Sequence, residues 1–183
     1  SYRKGVDALA GNAAVGTLAR LEHGEGRGAA ALFRVSADEF LQRHELHEEV
    51  FGPASLVVVC RDAAQMRAVV DALEGQLTAT LQMDPEDYAD AGALLPLLER
   101  KVGRILANGF PTGVEVSTAM VHGGPFPATA DGRSTSVGTG AIARFLRPVC
   151  YQNLPQELLP EQLRDGNPRG IWRRRDGALT KAH

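Results

Sequence analysis

Two closely spaced histidines are the first feature of the sequence that could support chemistry. His44 and His47 lie in the run HELHEE. A zinc protease requires HExxH, in which the two imidazoles lie one helical turn apart and the glutamate acts as the base. The spacing here is one residue short. We therefore expect a solvated, charged turn and assign no metal ligands.

The two cysteines are the second candidate group. Cys60 ends the apolar run SLVVVC, a position typical of a buried packing residue. Cys150 lies in RPVCYQN, where the charge of Arg147 could help to activate a thiol. No histidine or acid beside it could act as a base, so both cysteines are predicted to be structural. Two cysteines are a poor disulfide framework for this length, which favours a reducing compartment.

A glycine pattern is the third candidate. Gly138, Gly140 and Ala143 match G-x-G-x-x-A, which binds dinucleotides when a buried strand precedes it and an acid follows about 20 residues later. The preceding run, ADGRSTSV, is polar, and Glu157 comes early. A tight helix N-terminus that favours an anion or carboxylate is the better interpretation. A free-standing nucleotide binder is the alternative, and it requires this chain to bind NADP by itself.

The first third of the chain predicts a helix, a strand and a second, short helix. Apolar spacing predicts an amphipathic helix within residues 2–21, and the glycines of residues 24–28 break it. Residues 29–35 (AAALFRV) have the composition of a strand. Ser36 and Glu39 form a capping-box pattern that predicts a short helix over residues 37–42.

The middle of the chain alternates strands with helices. Asp62 and Gln65 repeat the capping-box spacing ahead of a helical face that ends before Gly75. The remaining predictions are a strand at 55–60, a strand at 76–83, a helix from 84 to about 102 and a strand at 104–108. This order implies an α/β fold with a right-handed, mostly parallel layer and helices on the sheet faces.

The last third begins with a long loop. Residues 110–139 are rich in Gly, Pro, Ser and Thr, and a loop of that length is usually functional. Residues 141–146 look helical, and the proline-spaced segment 155–168 is expected at the surface. Asp176 and Gly177 separate two short runs within residues 171–181, which predicts a hairpin. Its free edge favours pairing with another subunit.

Composition excludes several functional classes. Apolar residues make up 44% and charged residues 23% of the 183, as in a globular domain. The formal net charge of −2 argues against a nucleic-acid partner. No apolar run approaches the ~20 residues of a membrane span, and no signal peptide is recognised. The sequence therefore predicts a soluble, cytoplasmic protein of one domain.

Two segments resemble a known family. Glu48–Pro53 reads EEVFGP and leads into a hydrophobic strand, and residues 109–155 (GFPTGVEV to YQNLP) follow the intervening strands and helices. Together they resemble the aldehyde dehydrogenase superfamily, in the branch of 2,5-dioxovalerate and NADP-dependent fatty aldehyde dehydrogenases. The resemblance covers essentially the whole chain. It implies that residues 1–183 are the C-terminal part of a three-layer catalytic domain, with an oligomerisation hairpin at about 171–183.

The resemblance also implies roles for two residues of the hexapeptide. In the family, the second glutamate holds the hydroxyls of the nicotinamide ribose, and the phenylalanine packs near the nicotinamide. These roles carry over to Glu49 and Phe51, and a carboxylate suits two hydroxyl donors. Without the resemblance, Glu49 would be interpreted as a helix-end charge and Phe51 as a core residue. The expected cofactor is NADP, or NAD, held mainly by an upstream Rossmann domain.

The family's substrate tunnel is partly built by the loop that matches residues 121–139. By this resemblance Phe126 lines the tunnel, while Arg133, Ser134 and Gly138 meet a distal carboxylate. The family's nucleophilic cysteine and general-base glutamate have no counterpart here, so the chain alone should be inactive. The expected reaction of the parent protein is oxidation of an aldehyde, 2,5-dioxopentanoate, to 2-oxoglutarate. The alternative is a free-standing, non-catalytic interaction or scaffold subdomain.

Overall fold

The computed structural model describes residues 2–22 and 28–182. The chain divides into two compact units, Ser1–Phe145 and Leu146–His183, although its length predicts one domain. The predicted break at residues 24–28 lies outside the described residues, except for Gly28. The first unit contains, in order, α1 Tyr2–Gly11, β1 Gly16–Arg20, β2 Ala31–Ser36, α2 Ala37–Gln42, β3 Ala54–Val59, α3 Ala63–Ala72, β4 Gln76–Leu81, α4 Tyr88–Lys101 and β5 Val102–Ala107.

The first sheet has the strand order β1-β2-β3. Strands β2 and β3 are parallel, with Phe33 opposite Leu56, and β1 is antiparallel to β2. The predicted extension of the first helix towards Leu21 is wrong, because α1 ends at Gly11 and residues 16–20 are a strand. After Gly11, Asn12 Oδ1 accepts a hydrogen bond from the backbone N–H of Ala14, which stabilises a turn.

The core of the first unit lies on the face of this sheet that α1 and α2 cover. Along β2, residues alternate between buried and exposed, so Phe33 and Val35 point into the core. Val6 from α1 and Phe40 from α2 pack against them. The alternation fixes the register, since a slip of one residue would turn the buried side chains into solvent.

Both helix starts predicted from capping-box patterns are confirmed. Ser36 Oγ accepts a hydrogen bond from the Glu39 backbone N–H at 3.3 Å, and α2 occupies residues 37–42 as expected. Asp62 Oδ1 accepts from the Gln65 backbone N–H at 2.7 Å and caps α3. Each cap satisfies a backbone donor that the first helical turn leaves without a partner.

A second sheet consists of the parallel strands β4 and β5, connected by α4. Leu94, Leu97 and Leu98 form the buried side of α4. The predicted α/β class and its parallel strand pairs are confirmed, but the strands are divided between two small sheets. Within residues 2–22 and 28–182, no helix is both long enough and apolar enough to cross a membrane.

The predicted helix at residues 141–146 is a 3-10 helix, Thr139–Phe145. Gly138 precedes it with φ at +82°, a conformation that glycine adopts without strain. A 3-10 helix has poorer hydrogen-bond geometry than an α-helix. The anion-binding helix N-terminus expected at Gly138 is therefore not formed by an α-helix.

The second unit contains the predicted hairpin. Strands β6 (Arg173–Arg175) and β7 (Ala178–Thr180) pair antiparallel, and the turn residues Asp176 and Gly177 have φ of +49° and +82°. Two positive φ values are what a type I′ hairpin turn requires. Asn167, only 2% exposed, donates from Nδ2 to the carbonyl oxygens of Ile171 and Lys181, and so joins the two ends of the hairpin.

Candidate functional site

A cleft of about 350 Å³ lies between one face of α1 and the segment of residues 45–51. Both predicted cofactor residues, Glu49 and Phe51, line it. The other lining residues are Tyr2, Gly5, Ala8 and Leu9 from α1, Asn12 just after it, and Glu45, Leu46, Glu48 and Val50 from the facing segment. The structure therefore brings the two predicted residues to one concave surface.

Local packing positions the segment that carries Glu49. Leu46 is 5% exposed and anchors its start in the core. The His47 ring stacks on Phe40 with centroids 4.3 Å apart, and His47 Nε2 lies 2.9 Å from the Phe40 carbonyl oxygen. At the other end, the Pro53 carbonyl accepts a hydrogen bond from the Ala31 backbone N–H at 3.0 Å. The segment is thus held at both ends while its middle faces the cleft.

Glu49 and Phe51 both present unused binding groups. Glu49 is exposed, and within the part of the chain that the structure describes its carboxylate has neither a hydrogen bond nor an ion pair. Phe51 is 80% exposed, which is unusual for an aromatic ring. A free carboxylate accepts hydroxyl donors, and an exposed ring packs against a flat, apolar ligand surface.

The charge of the cleft restricts what it could hold. Glu45, Glu48 and Glu49 all line it, and no lysine or arginine does. Three carboxylates disfavour a phosphate at this position and favour a ligand part that is neutral or positively charged. The cleft therefore suits hydroxyl groups and a cationic ring better than a pyrophosphate.

The predicted substrate loop packs closely on the second sheet. A Cβ atom at Gly103 of β5 would collide with the Gly123 carbonyl, and one at Gly75, just before β4, would collide with the carbonyl of Pro125. A Cβ atom at Gly124 would likewise collide with the Gln76 carbonyl. The loop backbone can reach the sheet only because these positions lack side chains.

The four predicted substrate residues do not meet in one cavity of the described residues. Ser134 lines a cavity of about 280 Å³ with Asp131, Arg144 and other polar residues, but Phe126, Arg133 and Gly138 do not line it. Phe126 is 80% exposed at the surface of the loop. The Arg133 side chain is 96% exposed, with Nε 3.4 Å from Asp131 Oδ1. Gly138 contacts the backbone near Ser117 instead.

Asp131 in this loop has a pKa below its ordinary value, and local hydrogen bonds explain the shift. The Asp131 carboxylate accepts a bond from the Arg133 backbone N–H at 3.1 Å. This bond, aided by Ser134 and by the Arg133 side chain, lowers the pKa of Asp131. Asp131 therefore stays ionised and partly neutralises Arg133.

The other motifs adopt structural arrangements. The rings of His44 and His47 lie 5.2 Å apart, edge to face, and His47 contacts Phe40 as described. Residues 2–22 and 28–182 contain no group of three metal-binding side chains. Cys60 is half-buried, and burial, followed by the charge of Asp62, raises its pKa, which disfavours a thiolate nucleophile. No strand immediately precedes the glycine pattern at 138–143.

The known proteins that this chain resembles include two semialdehyde dehydrogenases. The chain is 62% identical over 147 residues to alpha-ketoglutaric semialdehyde dehydrogenase 2 of Azospirillum brasilense, covering 80% of this chain and 28% of the relative. It is 52% identical over 184 residues to the alpha-ketoglutaric semialdehyde dehydrogenase of Acinetobacter baylyi, covering 99% and 35%. The chain is homologous to one portion of the longer aldehyde dehydrogenase sequences. It spans about a third of the length of these relatives.

Solved structures show the same fold. Delta-pyrroline-5-carboxylate dehydrogenase from Mycobacterium tuberculosis matches with a TM-score of 0.59 at 17% identity, covering 87% of this chain and 30% of that chain. Betaine aldehyde dehydrogenase from Staphylococcus aureus, in complex with NAD+, matches with a TM-score of 0.59 at 14% identity, covering 79% and 28%. No family model matches the chain. The predicted aldehyde dehydrogenase fold is thereby confirmed for a partial domain.

The sequence analysis did not predict that α1 forms one side of the cleft. Gly5, Ala8, Leu9 and Asn12 recur at the i, i+3, i+4, i+7 spacing of one helix face. Two of these four residues are small, which indicates a close approach to another segment. That combination was the available signal. The apolar spacing of this stretch predicted an amphipathic helix without indicating which segment each of its faces contacts.

Proposed function

We propose that this chain forms the wall of an aldehyde dehydrogenase active site that receives the nicotinamide end of NAD(P). The observation that carries the proposal is the cleft in which the unpaired Glu49 carboxylate and the exposed Phe51 ring lie together. The longer protein that contains such a chain is called the parent protein here. The names of the two relatives support an oxidation of 2,5-dioxopentanoate to 2-oxoglutarate by the parent protein.

The residues of the cleft bind and orient the cofactor. The Glu49 carboxylate accepts hydrogen bonds from two ribose hydroxyls, and Phe51 packs against the nicotinamide ring. When bound, NAD(P) supplies the hydride acceptor for aldehyde oxidation. A cleft of about 350 Å³ suits one end of a dinucleotide, and its three glutamates repel phosphates. The proposal therefore places the pyrophosphate and the adenosine on the rest of the parent protein.

The loop of residues 121–139 is our candidate for the substrate side. Ser134 and Arg144 supply hydroxyl and guanidinium donors in one cavity, and the exposed Arg133 carries a second guanidinium, whose Nε lies 3.4 Å from Asp131 Oδ1 of the same cavity. These groups suit the distal carboxylate of 2,5-dioxopentanoate. Phe126 provides an exposed apolar ring that could line the approach of the aldehyde.

Three further proposals concern the parent protein. We propose that it prefers NADP, as the resemblance to the NADP-dependent branch implies. We propose that it dimerises through the β6–β7 hairpin, because within the described residues each of these strands pairs only with the other and has one free edge. The unpaired cysteines support a reducing, cytoplasmic location.

The test is coenzyme kinetics of the parent protein with Glu49→Gln. A hydrogen bond to a charged group contributes about 1.5–3 kcal/mol, so we expect the KM for NADP to rise about tenfold or more. Glu74→Gln is the matched control, since Glu74 is exposed and lies outside the cleft. If the two variants behave alike, Glu49 does not bind the cofactor. An NADP-binding signal from the 183-residue chain in calorimetry would favour the free-standing alternative.

A further inference from the structure

The ring of Tyr2 lies directly over Gly52. A Cβ atom at Gly52 would collide with ring carbons of Tyr2, and Gly52 has φ of +149°, a conformation that strains a residue with a side chain. The same ring also contacts Gly28, where a Cβ atom would lie 3.8 Å from Tyr2 Cδ1. The first turn of α1 thus packs against the end of the segment that carries Glu49 and Phe51.

Two further contacts fix the position of α1, one with the chain before β2 and one with the segment itself. The Tyr2 hydroxyl donates a hydrogen bond of 2.5 Å to the Ala29 carbonyl, just before β2. One helical turn after Tyr2, a Cβ atom at Gly5 would lie 2.8 Å from Val50 Cγ1, so this side chain rests on the helix backbone. Val50 and Gly52 flank Phe51, whose ring remains free.

We propose that Tyr2 is a positioning residue for cofactor binding, an inference that rests on the proposed function. Its half-buried ring fixes Gly52, and its hydroxyl ties α1 to the strand beside β3. The backbone between Gly52 and the buried Leu46 therefore holds one conformation, and the Glu49 carboxylate and the Phe51 ring are ordered before the ligand arrives. Tyr2 touches neither the aldehyde nor the reacting atoms; it acts through Gly52.

Pre-ordering predicts a specific kinetic effect. Without the Tyr2 ring, the ligand must order this segment when it binds, and that cost reduces affinity for the cofactor alone. In the parent protein, we expect Tyr2→Ala to raise the KM for NADP roughly threefold to tenfold. The KM for the aldehyde and kcat should stay within about twofold of the wild-type values.

Two other variants separate positioning from stability. Tyr2→Phe keeps the ring over Gly52 and loses the hydroxyl, whose hydrogen bond to Ala29 lies outside the segment, so its KM for NADP should stay near that of the wild type. Leu97→Ala removes a side chain that is 2% exposed in α4 and lowers the melting temperature without touching this segment. It should leave the KM for NADP unchanged. If Leu97→Ala raises this KM as much as Tyr2→Ala, or if Tyr2→Phe equals Tyr2→Ala, the proposal is overturned.

The outcomes also distinguish this inference from the proposed function. An increase in KM with Glu49→Gln but not with Tyr2→Ala would reject the role of Tyr2 and leave the cofactor site intact. If the wild-type parent protein shows no NAD(P)-dependent turnover, the proposed function fails. Hydrogen exchange of the 183-residue chain then still tests the packing. Amides of residues 48–53 should exchange faster in Tyr2→Ala than in Leu97→Ala, and equal exchange would reject the contact.

Discussion

At the residue scale, replacing Phe51 should affect cofactor binding without affecting the stability of the fold. A side chain that is 80% exposed contributes little to the core, so its removal should change the free energy of unfolding by less than about 0.5 kcal/mol. The proposed contact with nicotinamide would be lost entirely. We therefore expect Phe51→Ala in the parent protein to raise the KM for NADP while the melting temperature stays near the wild-type value.

Phe40→Ala provides the contrast, because Phe40 is 3% exposed and belongs to the core. It should lower stability by about 3–5 kcal/mol. Thermal unfolding together with initial-rate kinetics measures both quantities. A large loss of stability in Phe51→Ala would show that this ring is a packing residue, as sequence reasoning without the family resemblance suggests.

The two cysteines are expected to differ in reactivity. Burial, with a smaller contribution from Asp62, raises the pKa of Cys60, whereas Cys150 is exposed. Only the thiolate is alkylated, so at pH 8 iodoacetamide should modify Cys150 faster than Cys60. Peptide mass spectrometry after timed quenching measures both rates. Faster modification of Cys60 would contradict the half-buried placement of its thiol.

The same shift has a defined effect on stability. Because the pKa of Cys60 is higher in the folded chain than in the unfolded chain, its contribution is complete below the unfolded pKa. That contribution is lost as the pH rises through the folded pKa. The Cys60→Ala variant should therefore lose less stability than the wild type between neutral and alkaline pH, as measured by denaturant unfolding.

At the scale of elements, local signals predicted those structures that depend on neighbouring residues. Ser36 and Asp62 predict the starts of α2 and α3, because a capping side chain bonds to a backbone N–H only three residues away. Asp176 and Gly177 predict the hairpin because they form its turn themselves. Strand β1 was missed because its partner, β2, is more distant in the sequence, and because its five residues are all exposed and show no alternation.

In the candidate site, too, residues with a local sequence signal were predicted and contacts between distant residues were not. Glu49 and Phe51 were predicted as cofactor residues from the hexapeptide that contains them, and the structure places both beside one cleft. The α1 wall was missed because Tyr2 meets Gly52 only after the chain has folded. The arrangement of Arg133, Ser134 and Phe126 could not be predicted either, since their orientations depend on how the loop crosses the second sheet.

The close packing of the loop of residues 121–139 on β5 can be tested with two glycines. At Gly103 a Cβ atom would strike the Gly123 carbonyl, whereas at Gly92, on the exposed side of α4, nothing lies within 4 Å. We expect Gly103→Ala to destabilise the chain by about 1–3 kcal/mol, as overpacking does. Gly92→Ala should stabilise it by up to about 1 kcal/mol, because alanine favours a helix. Chemical denaturation measures both changes, and a neutral Gly103→Ala would reject the close packing.

At the scale of the whole molecule, one face of the first sheet exposes apolar side chains. Parallel strands are usually covered on both faces, but among residues 2–22 and 28–182 the helices α1 and α2 cover one face of β1-β2-β3. On the other face Leu32, Val57 and Val59 are each between 37% and 42% exposed. Apolar side chains collected on one sheet face favour an additional layer. We infer that the rest of the parent protein covers this face.

This inference predicts a difference between the 183-residue chain and the parent protein. Val57→Ala should cost about 1–2 kcal/mol in the parent protein, where two methyl groups would lose burial, and less than about 0.5 kcal/mol in the chain alone. Val35→Ala is the matched control, because Val35 is 2% exposed on the covered face of the neighbouring strand and should destabilise both proteins. Denaturant unfolding of the four variants measures the effects. Equal costs for Val57→Ala in both proteins would mean that solvent, not a protein layer, faces this side of the sheet.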